Sequence, residues 1–333
     1  MDTLVESLQI LKFLCVCGFY LVCNFVPIFL PVGVYHAWAG SFMARGFVAL
    51  SILDYLVPLR LPGLSMRWCS LTEDTAGKKR YFDAELVVEA PFEKSKNYLI
   101  CYHPHSLFGI AYNLFTHHLY HTYGTICLFT GADIILKIPL LRRMLAWWGC
   151  TSASAGAMRK NLQLPWPHNA LMLQPGGVAE MFYGTESEQI ILDKRKGFCK
   201  IALQTGACIV PCYAFGANEV YTRYFGPTSL AARLSSVLRT SLVVWTGRWG
   251  VPFGPVPHPV KLLVVLGAPL EVGPPVAEPS PEQILALHAR YVSALQALFE
   301  KYKARMGPEW VQVRGARLYL ENEVVVSARA KRE

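Results

Sequence analysis

Charged side chains are scarce in this sequence. Asp, Glu, Lys and Arg make up 17% of the 333 residues, against roughly 25% in an ordinary soluble domain, while 53% of the residues are hydrophobic. That composition is the opposite of the one that keeps a chain disordered. It also indicates that some apolar surface faces something other than water. The length suits one large domain or two small ones.

Several motifs of known chemistry are missing. The ten cysteines include no C-x-x-C pair, so a zinc ribbon has no support, and buried free thiols in a reducing compartment are favoured. A P-loop and a paired-glycine dinucleotide motif are absent, which leaves nucleotide hydrolysis and hydride transfer unsupported. The net charge is 32 − 23 = +9, but the basic residues are scattered and match no nucleic-acid motif. We therefore expect no nucleic-acid partner.

The apolar residues are concentrated near the N-terminus. Residues 13–35 form a run of 23 residues without a charge, which as a helix would reach about 34 Å, enough for a bilayer core. A second apolar stretch, residues 46–59, contains Asp54 and is too short to span alone. Either one helix spans a membrane, or the two stretches form a helical hairpin that enters and returns from one side. The alternative is a core helix of a soluble protein.

A positive cluster follows the second stretch and comprises Arg60, Arg67, Lys78, Lys79 and Arg80. Such a cluster beside a membrane segment belongs on the cytosolic side. The sequence therefore predicts an N-terminal membrane hairpin over residues 1–60 and a cytosolic domain over residues 61–333.

The rest of the chain alternates short apolar runs with helical patterns. Strands are predicted at residues 98–102, 125–130, 170–174, 207–215 and 261–266. Helices are predicted at residues 139–148, at 198–204 before Gly206, and from Ser280, which forms a capping box with Gln283. Strands that alternate with helices predict an α/β layered domain.

His103-Pro104-His105-Ser106 directly follows the first of these strands. Pro104 restrains the turn, so the two imidazoles have restricted positions. Histidine titrates near neutrality and can take a proton from an alcohol and return it. Two histidines around a proline favour a catalytic role over a simple cap on the strand.

Pro175-Gly176-Gly177-Val178-Ala179-Glu180 follows another predicted strand. Successive glycines let backbone N–H groups converge on a developing oxyanion. Glu180 would then orient a histidine or hold an acceptor hydroxyl. A tight turn followed by an N-terminal helix glutamate is an equally good interpretation of this segment alone.

Two basic clusters have weaker signals. Arg195-Lys196-Gly197 precedes a helix and suits a phosphate-bearing ligand, although solvated surface charge is the usual fate of such a run. His117 and His121 share a helical face, but the Glu of H-E-x-x-H is missing and no third ligand lies nearby in sequence. We therefore favour a packed helix that includes His118 over a zinc site, and predict no metal.

Taken in order, these motifs resemble the type-2 diacylglycerol acyltransferase family, which includes monoacylglycerol and wax-alcohol acyltransferases. The tetrapeptide at 103–106 resembles HPHG, residues 149–162 resemble a Gly/Ser-rich segment, residues 176–180 resemble GGxxE, and residues 195–221 resemble RKGFxKxA…G…VP…FGENEVY. The resemblance covers about residues 98–270. Ser106 replaces the usual glycine, Asp83 stands where the family often has proline, and Ala217 replaces the first Glu of GENE.

The resemblance implies an α/β fold, a layered domain like that of glycerolipid acyltransferases with an N-terminal transmembrane helical hairpin. It implies acyl transfer from acyl-CoA, as a co-substrate without further cofactor, to a neutral lipid alcohol, with diacylglycerol the first choice of acceptor. The expected location is the endoplasmic reticulum membrane, with the catalytic domain cytosolic, and also lipid droplets. Monoacylglycerol or a long-chain alcohol as acceptor, a non-catalytic lipid-binding or droplet protein, and a homo-oligomer stay open.

Each motif then receives a role. His105 is the expected base, with His103 and Glu180 in support. The amides of Gly176 and Gly177 are the expected oxyanion donors. The remaining candidates contact substrate: Ser106, Asn218 and Glu219 near the acceptor, and Arg195 and Lys196 at the CoA phosphates.

Overall fold

An eight-stranded sheet forms the centre of the molecule in a computed structural model, which describes residues 11, 26–57, 76–77, 81–107, 109, 111–184, 186–238, 242–254 and 256–320. The strands are β1 Ala76–Gly77, β2 Phe82–Val88, β3 Tyr98–His103, β4 Cys127–Gly131, β5 Cys150–Ser152, β6 Ala170–Leu173, β7 Gln189–Ile190, β8 Cys208–Phe215, β9 Thr222–Arg223, β10 Trp245–Thr246, β11 Lys261–Leu266 and β12 Tyr319–Leu320. Their order in the sheet is β1-β2-β11-β8-β3-β6-β4-β5. β9 pairs with β10, and β7 pairs with β12.

Five neighbouring strands of this sheet are parallel: β8, β3, β6, β4 and β5. β11 is antiparallel to β8, so β11, β2 and β1 run in the opposite direction. Every residue of β3 and β8 is buried. Strands covered on both faces carry unbroken apolar runs, which is why both were predicted from the sequence.

The helices are α1 Val26–Trp38, α2 Phe42–Leu56, α3 Tyr112–Tyr123, α4 Leu141–Trp147, α5 Ala155–Asn161, α6 Gly197–Thr205, α7 Leu230–Leu238, α8 Pro281–Tyr302 and α9 Pro308–Val313. Short 3-10 helices lie at Ile135–Lys137, Val178–Phe182, Ala217–Glu219 and Lys303–Met306.

Helices cover both faces of the sheet. α5, α6 and α8 pack on the face that carries Leu99 and Cys101 of β3, whereas α3 packs on the face that carries Tyr98 and Ile100. Successive residues of a strand point to opposite faces, so β3 contributes to both cores. The predicted α/β layered fold is therefore confirmed.

The element predictions hold where the local signal is strong. Each of the five predicted strands is present, with ends shifted by at most two residues. α6 ends at Gly206, whose φ is +70°, and α8 begins with the predicted capping box between Ser280 and Gln283. Leu287 and Leu295 of α8 are buried against the sheet. The other three strands of the central sheet, β1, β2 and β5, were not predicted.

α1 and α2 form a helical hairpin. The connection spans residues 39–41, Ser41 N–H donates to His36 O at 2.9 Å, and Gly33 faces the ring of Phe47. Residues 13–25 of the first apolar run and 58–59 of the second lie outside the described residues. Within the described ranges, no helix is long and apolar enough to cross a membrane.

Six of the ten cysteines lie in the described core as buried free thiols, and they are Cys101, Cys127, Cys150, Cys199, Cys208 and Cys212. Burial raises the pKa of Cys199 and of Cys208 to about 12, so both remain protonated at neutral pH. For these six, the prediction of buried free thiols is confirmed.

Candidate active site

Three segments named by the sequence motifs meet at one edge of the sheet. β3 ends at His103, β6 ends just before the glycine turn at 174–177, and β8 ends just before the 3-10 helix Ala217–Glu219. β3 lies between β6 and β8, and all three strands are parallel. Their carboxyl ends therefore share an edge, where open α/β sheets place their ligand sites.

His103 and Glu180 form a fully buried pair at this edge. Nδ1 of His103 lies 3.3 Å from Oε1 of Glu180, and neither side chain is exposed. An imidazole beside a carboxylate donates its Nδ1–H, which leaves the lone pair on Nε2. Within the described part of the chain, neither Nε2 of His103 nor Oε2 of Glu180 has a hydrogen-bond partner. Glu180 therefore fixes the orientation of His103, one of the two roles open for it from the sequence.

Gly176 provides the space that the Glu180 carboxylate occupies. A Cβ atom on Gly176 would lie 1.8 Å from Oε2 of Glu180. The next residue, Gly177, has a φ of +63°, in the region that favours glycine, and its N–H donates to the carbonyl of Gln174 at 3.1 Å. The Gly177 amide is thus used by the turn, which leaves the Gly176 amide as the candidate oxyanion donor.

His105 lies nearer to solvent than His103 and is only partly buried. Its Nδ1 lies 3.0 Å from the carbonyl oxygen of Ser106. A carbonyl can only accept, so Nδ1 carries the proton and Nε2 carries the lone pair. Burial lowers the pKa of His105, which keeps the imidazole neutral at pH 7. His105 therefore has the tautomer and the protonation state of a base.

The histidine segment is held by its neighbours. The His103–Pro104 bond is cis, and Ser106 adopts a φ of +50°, in the left-handed region that suits the glycine it replaces. Gln174 Nε2 donates to the carbonyl of His105 at 3.2 Å, which ties this segment to the glycine turn. The two motifs therefore form one site, although these two residues are 69 positions apart in sequence.

Asn218 lies in a buried polar network beside the pair. Its Nδ2 donates to Oε2 of Glu188 at 3.2 Å, and its Oδ1 accepts from Nη2 of Arg223 at 3.1 Å. Glu219 accepts from Trp310 Nε1 at 2.6 Å. These contacts hold the network together. Within the described residues, no hydrogen bond joins Asn218 or Glu219 to His103 or His105.

Arg223 is a buried residue beside this site whose contacts the sequence did not indicate. Its guanidinium donates to the carbonyls of Met181 at 2.7 Å and Gly184 at 3.2 Å, so it anchors the segment that carries Glu180. The side chain is 8% exposed, and burial lowers its pKa to about 10, so it stays charged at neutral pH. A lone arginine in sequence gives no signal of this role.

Arg195 and Lys196 lie at the start of α6. Arg195 is exposed and Lys196 is the N-cap residue. α6 leads into β8, so its N-terminus lies toward the carboxyl edge of the strands. The Tyr291 ring lies 4.9 Å from the Phe198 ring of α6 and 6.3 Å from the His103 ring. The two cations thus lie at the start of a helix on the same face of the sheet as His103.

The histidines of α3 lie away from this edge, on the helix that covers one face. Nε2 of His117 lies 2.9 Å from Nε2 of His121, and His118 contacts Thr122. Across the described residues there is no group of three or more His, Cys, Asp or Glu side chains that could hold a metal ion.

A family model described as diacylglycerol acyltransferase matches residues 60–313. Diacylglycerol O-acyltransferase 2-like protein 6 of Bos taurus is 32% identical over 252 residues, which cover 69% of this chain and 73% of the relative. Diacylglycerol O-acyltransferase 2 of Dictyostelium discoideum is 30% identical over 249 residues (67% and 71%), and acyl-CoA wax alcohol acyltransferase 2 of Mus musculus is 29% identical over 246 residues (68% and 72%).

One solved structure, the 1-acyl-sn-glycerophosphate acyltransferase PlsC from Thermotoga maritima, aligns with 88% of this chain and 98% of its own length. The sequence identity is 14% and the TM-score is 0.42, values at which the likeness carries no conclusion.

Proposed function

The chain belongs to the diacylglycerol acyltransferase family, and on that premise we propose that it transfers the acyl group of acyl-CoA to the free hydroxyl of diacylglycerol, forming triacylglycerol. The observation that carries the proposal is the site at the carboxyl edge of β3. There a neutral, partly buried His105 stands beside the oriented pair of His103 and Glu180.

In the proposed reaction, Nε2 of His105 accepts the hydroxyl proton of the acceptor as the acceptor oxygen attacks the thioester carbonyl carbon. The carbonyl oxygen becomes an oxyanion, and the N–H of Gly176 donates to it. The C–S bond then breaks, and His105 returns the proton to the sulfur of CoA. His103, held by Glu180, keeps this segment in position. Only the co-substrate acyl-CoA is needed, and no metal enters the steps.

The anionic part of acyl-CoA would bind at Arg195 and Lys196. Both side chains extend from the start of α6, where backbone N–H groups also favour an anion. The acceptor would come from a lipid surface, with the apolar hairpin of α1 and α2 lying in that surface. We place the enzyme at the endoplasmic reticulum membrane with its α/β domain cytosolic.

A long-chain alcohol is a second candidate acceptor, because one relative is named a wax alcohol acyltransferase. The test is an acceptor panel: purified protein in phospholipid vesicles, radiolabelled acyl-CoA, and diacylglycerol, monoacylglycerol or a long-chain alcohol. Triacylglycerol is expected to form fastest. Preferred formation of wax ester would overturn the choice of diacylglycerol as the acceptor. Lipid binding without product for every acceptor would overturn acyl transfer itself.

A further inference from the structure

Within the described residues, Asp54 is the only acidic side chain of the hairpin formed by α1 and α2. It lies near the C-terminal end of α2, and its side chain is only 2% exposed. A carboxylate that is withdrawn from water is costly unless it is paired, and such a residue in a membrane-associated helix commonly marks a functional contact.

Among the described residues, the partners that Asp54 binds through its carboxylate come from the α/β domain. Nε of Arg142 lies 2.7 Å from Oδ2, and Nε of Arg143 lies 2.5 Å from Oδ1. The backbone N–H of Leu140 donates to Oδ2 at 3.2 Å. Each carboxylate oxygen therefore has its own guanidinium, an arrangement that fixes both distance and orientation.

The same two arginines also cap the end of α2. Nη2 of Arg143 donates to the carbonyls of Asp54 at 3.0 Å and Val57 at 3.1 Å, and Nη2 of Arg142 donates to both carbonyls as well. α2 has no basic residue in its own last turn. The two arginines therefore supply the hydrogen bonds that its last carbonyls lack, and their positive charge stabilises the negative end of the helix dipole. The Arg142 guanidinium also lies 4.6 Å from the ring centre of Tyr55, whose hydroxyl donates to the Lys137 carbonyl.

The contact has a defined place relative to the active site. Residues 132–149 leave the carboxyl end of β4, which is the edge where β3 and β6 also end.

The connection between α1 and α2 is at the opposite end of the hairpin, about 18 Å from Asp54 along α2. That tip bears Trp38, Phe42 and Met43, each more than four-fifths exposed. The hairpin thus has an apolar tip and a charged base.

We propose that Asp54, Arg142 and Arg143 form a joint that holds the apolar hairpin beside the active-site edge, so that a lipid surface penetrated by the tip delivers its acceptor to His105. The proposal rests on the proposed function only for the identity of the acceptor. The joint acts on the supply of lipid-borne acceptor and leaves the binding of acyl-CoA and the chemical step unchanged. The three residues are positioning residues, and none touches substrate.

The test compares Asp54→Asn and Arg143→Gln with Lys160→Gln, which removes an exposed charge on α5, outside both the joint and the hairpin. Three quantities are measured: KM for diacylglycerol in phosphatidylcholine vesicles, KM for acyl-CoA, and kcat with a short-chain, water-soluble alcohol. Both joint variants should raise the KM for vesicle-borne diacylglycerol about tenfold, with the other two quantities unchanged. Lys160→Gln should match the wild type in all three.

An unchanged KM for vesicle-borne acceptor would overturn the joint, and so would an equal loss with the soluble alcohol. Hydrogen exchange gives a readout that does not depend on activity: Asp54→Asn should speed exchange in residues 50–57 and 137–147 and leave β3 and β8 unchanged. If the wild type uses no acceptor, the proposed function fails while the exchange result still decides the joint. Unchanged exchange in residues 50–57 and 137–147 would overturn the proposed joint.

Discussion

Gly176→Ala separates His103 from Glu180 without changing either side chain. The added methyl carbon would lie 1.8 Å from Oε2, 2.5 Å from Cδ and 2.8 Å from Cβ of Glu180, all shorter than the 3.0 Å that real Cβ atoms keep. Because Cβ of Glu180 is among these atoms, rotation of the carboxylate alone cannot relieve the clash. The 3.3 Å contact between Oε1 and Nδ1 of His103 is therefore lost.

The size of the effect follows from that contact. A hydrogen bond to a charged group contributes about 1.5–3 kcal/mol. If the whole of that contribution orients the histidine segment in the transition state, kcat falls by about ten- to a hundredfold, since 1.36 kcal/mol corresponds to a factor of ten. Alanine keeps the backbone N–H, so the proposed oxyanion donor is retained.

The assay is acyl transfer from radiolabelled acyl-CoA to diacylglycerol in vesicles, with kcat and the KM for acyl-CoA measured separately. Gly156→Ala is the matched control, because Gly156 is exposed on α5 and a Cβ atom there meets nothing within 4 Å. The control should keep wild-type kcat. A Gly176→Ala protein with wild-type kcat and wild-type melting temperature would refute the idea that Glu180 orients His103.

Three further predictions concern neighbouring groups. Burial lowers the pKa of His105, and a base works in its neutral form, so kcat/KM should fall on acidification with a midpoint below the ordinary histidine value of about 6.5; a midpoint above that value would contradict this. Arg223→Lys keeps the charge but loses the fork that holds Met181 and Gly184, so kcat should fall about tenfold with an unchanged KM for acyl-CoA, and a rise in that KM instead would argue against a positioning role. The Arg195→Ala, Lys196→Ala double variant should raise the KM for acyl-CoA about tenfold while Lys200→Ala leaves it unchanged, and equal KM values would remove the CoA role.

Sequence patterns predicted the centre of the fold because its strands are buried on both faces. β3, β8 and β11 are nearly continuous apolar runs, and such runs are recognisable without knowledge of their partners. β2 was not predicted, because Asp83 and Glu85 interrupt its apolar pattern. The reversal of direction between β8 and β11 is a long-range pairing that no local pattern encodes.

The histidine loop and the glycine turn were each predicted to follow a strand, but the sequence did not show that these two strands are parallel neighbours. The roles of individual atoms in these two segments could not be predicted from the sequence either. Glu180 had two open roles until its distance to His103 was known, and the Gly177 amide is already bonded within the turn. Both depend on backbone geometry that is invisible in the sequence.

The polar contacts that connect distant segments were beyond local reasoning. Arg223 binds carbonyls 39 and 42 positions away, and Arg142 and Arg143 bind Asp54 across 88 and 89 positions. Each arginine resembles an ordinary surface charge in sequence. Only Asp54 gave a signal, as a carboxylate in an apolar stretch, and that signal did not name its partners.

The measurement that tests the central claim most directly is acyl transfer by His105→Ala against the wild type and a His118→Ala control on α3. Purified proteins in vesicles receive radiolabelled acyl-CoA and diacylglycerol, and circular dichroism checks that each is folded. The expected result is triacylglycerol from the wild type and from His118→Ala, and none above background from a folded His105→Ala. Wild-type product formation by His105→Ala would contradict the assignment of His105 as the base.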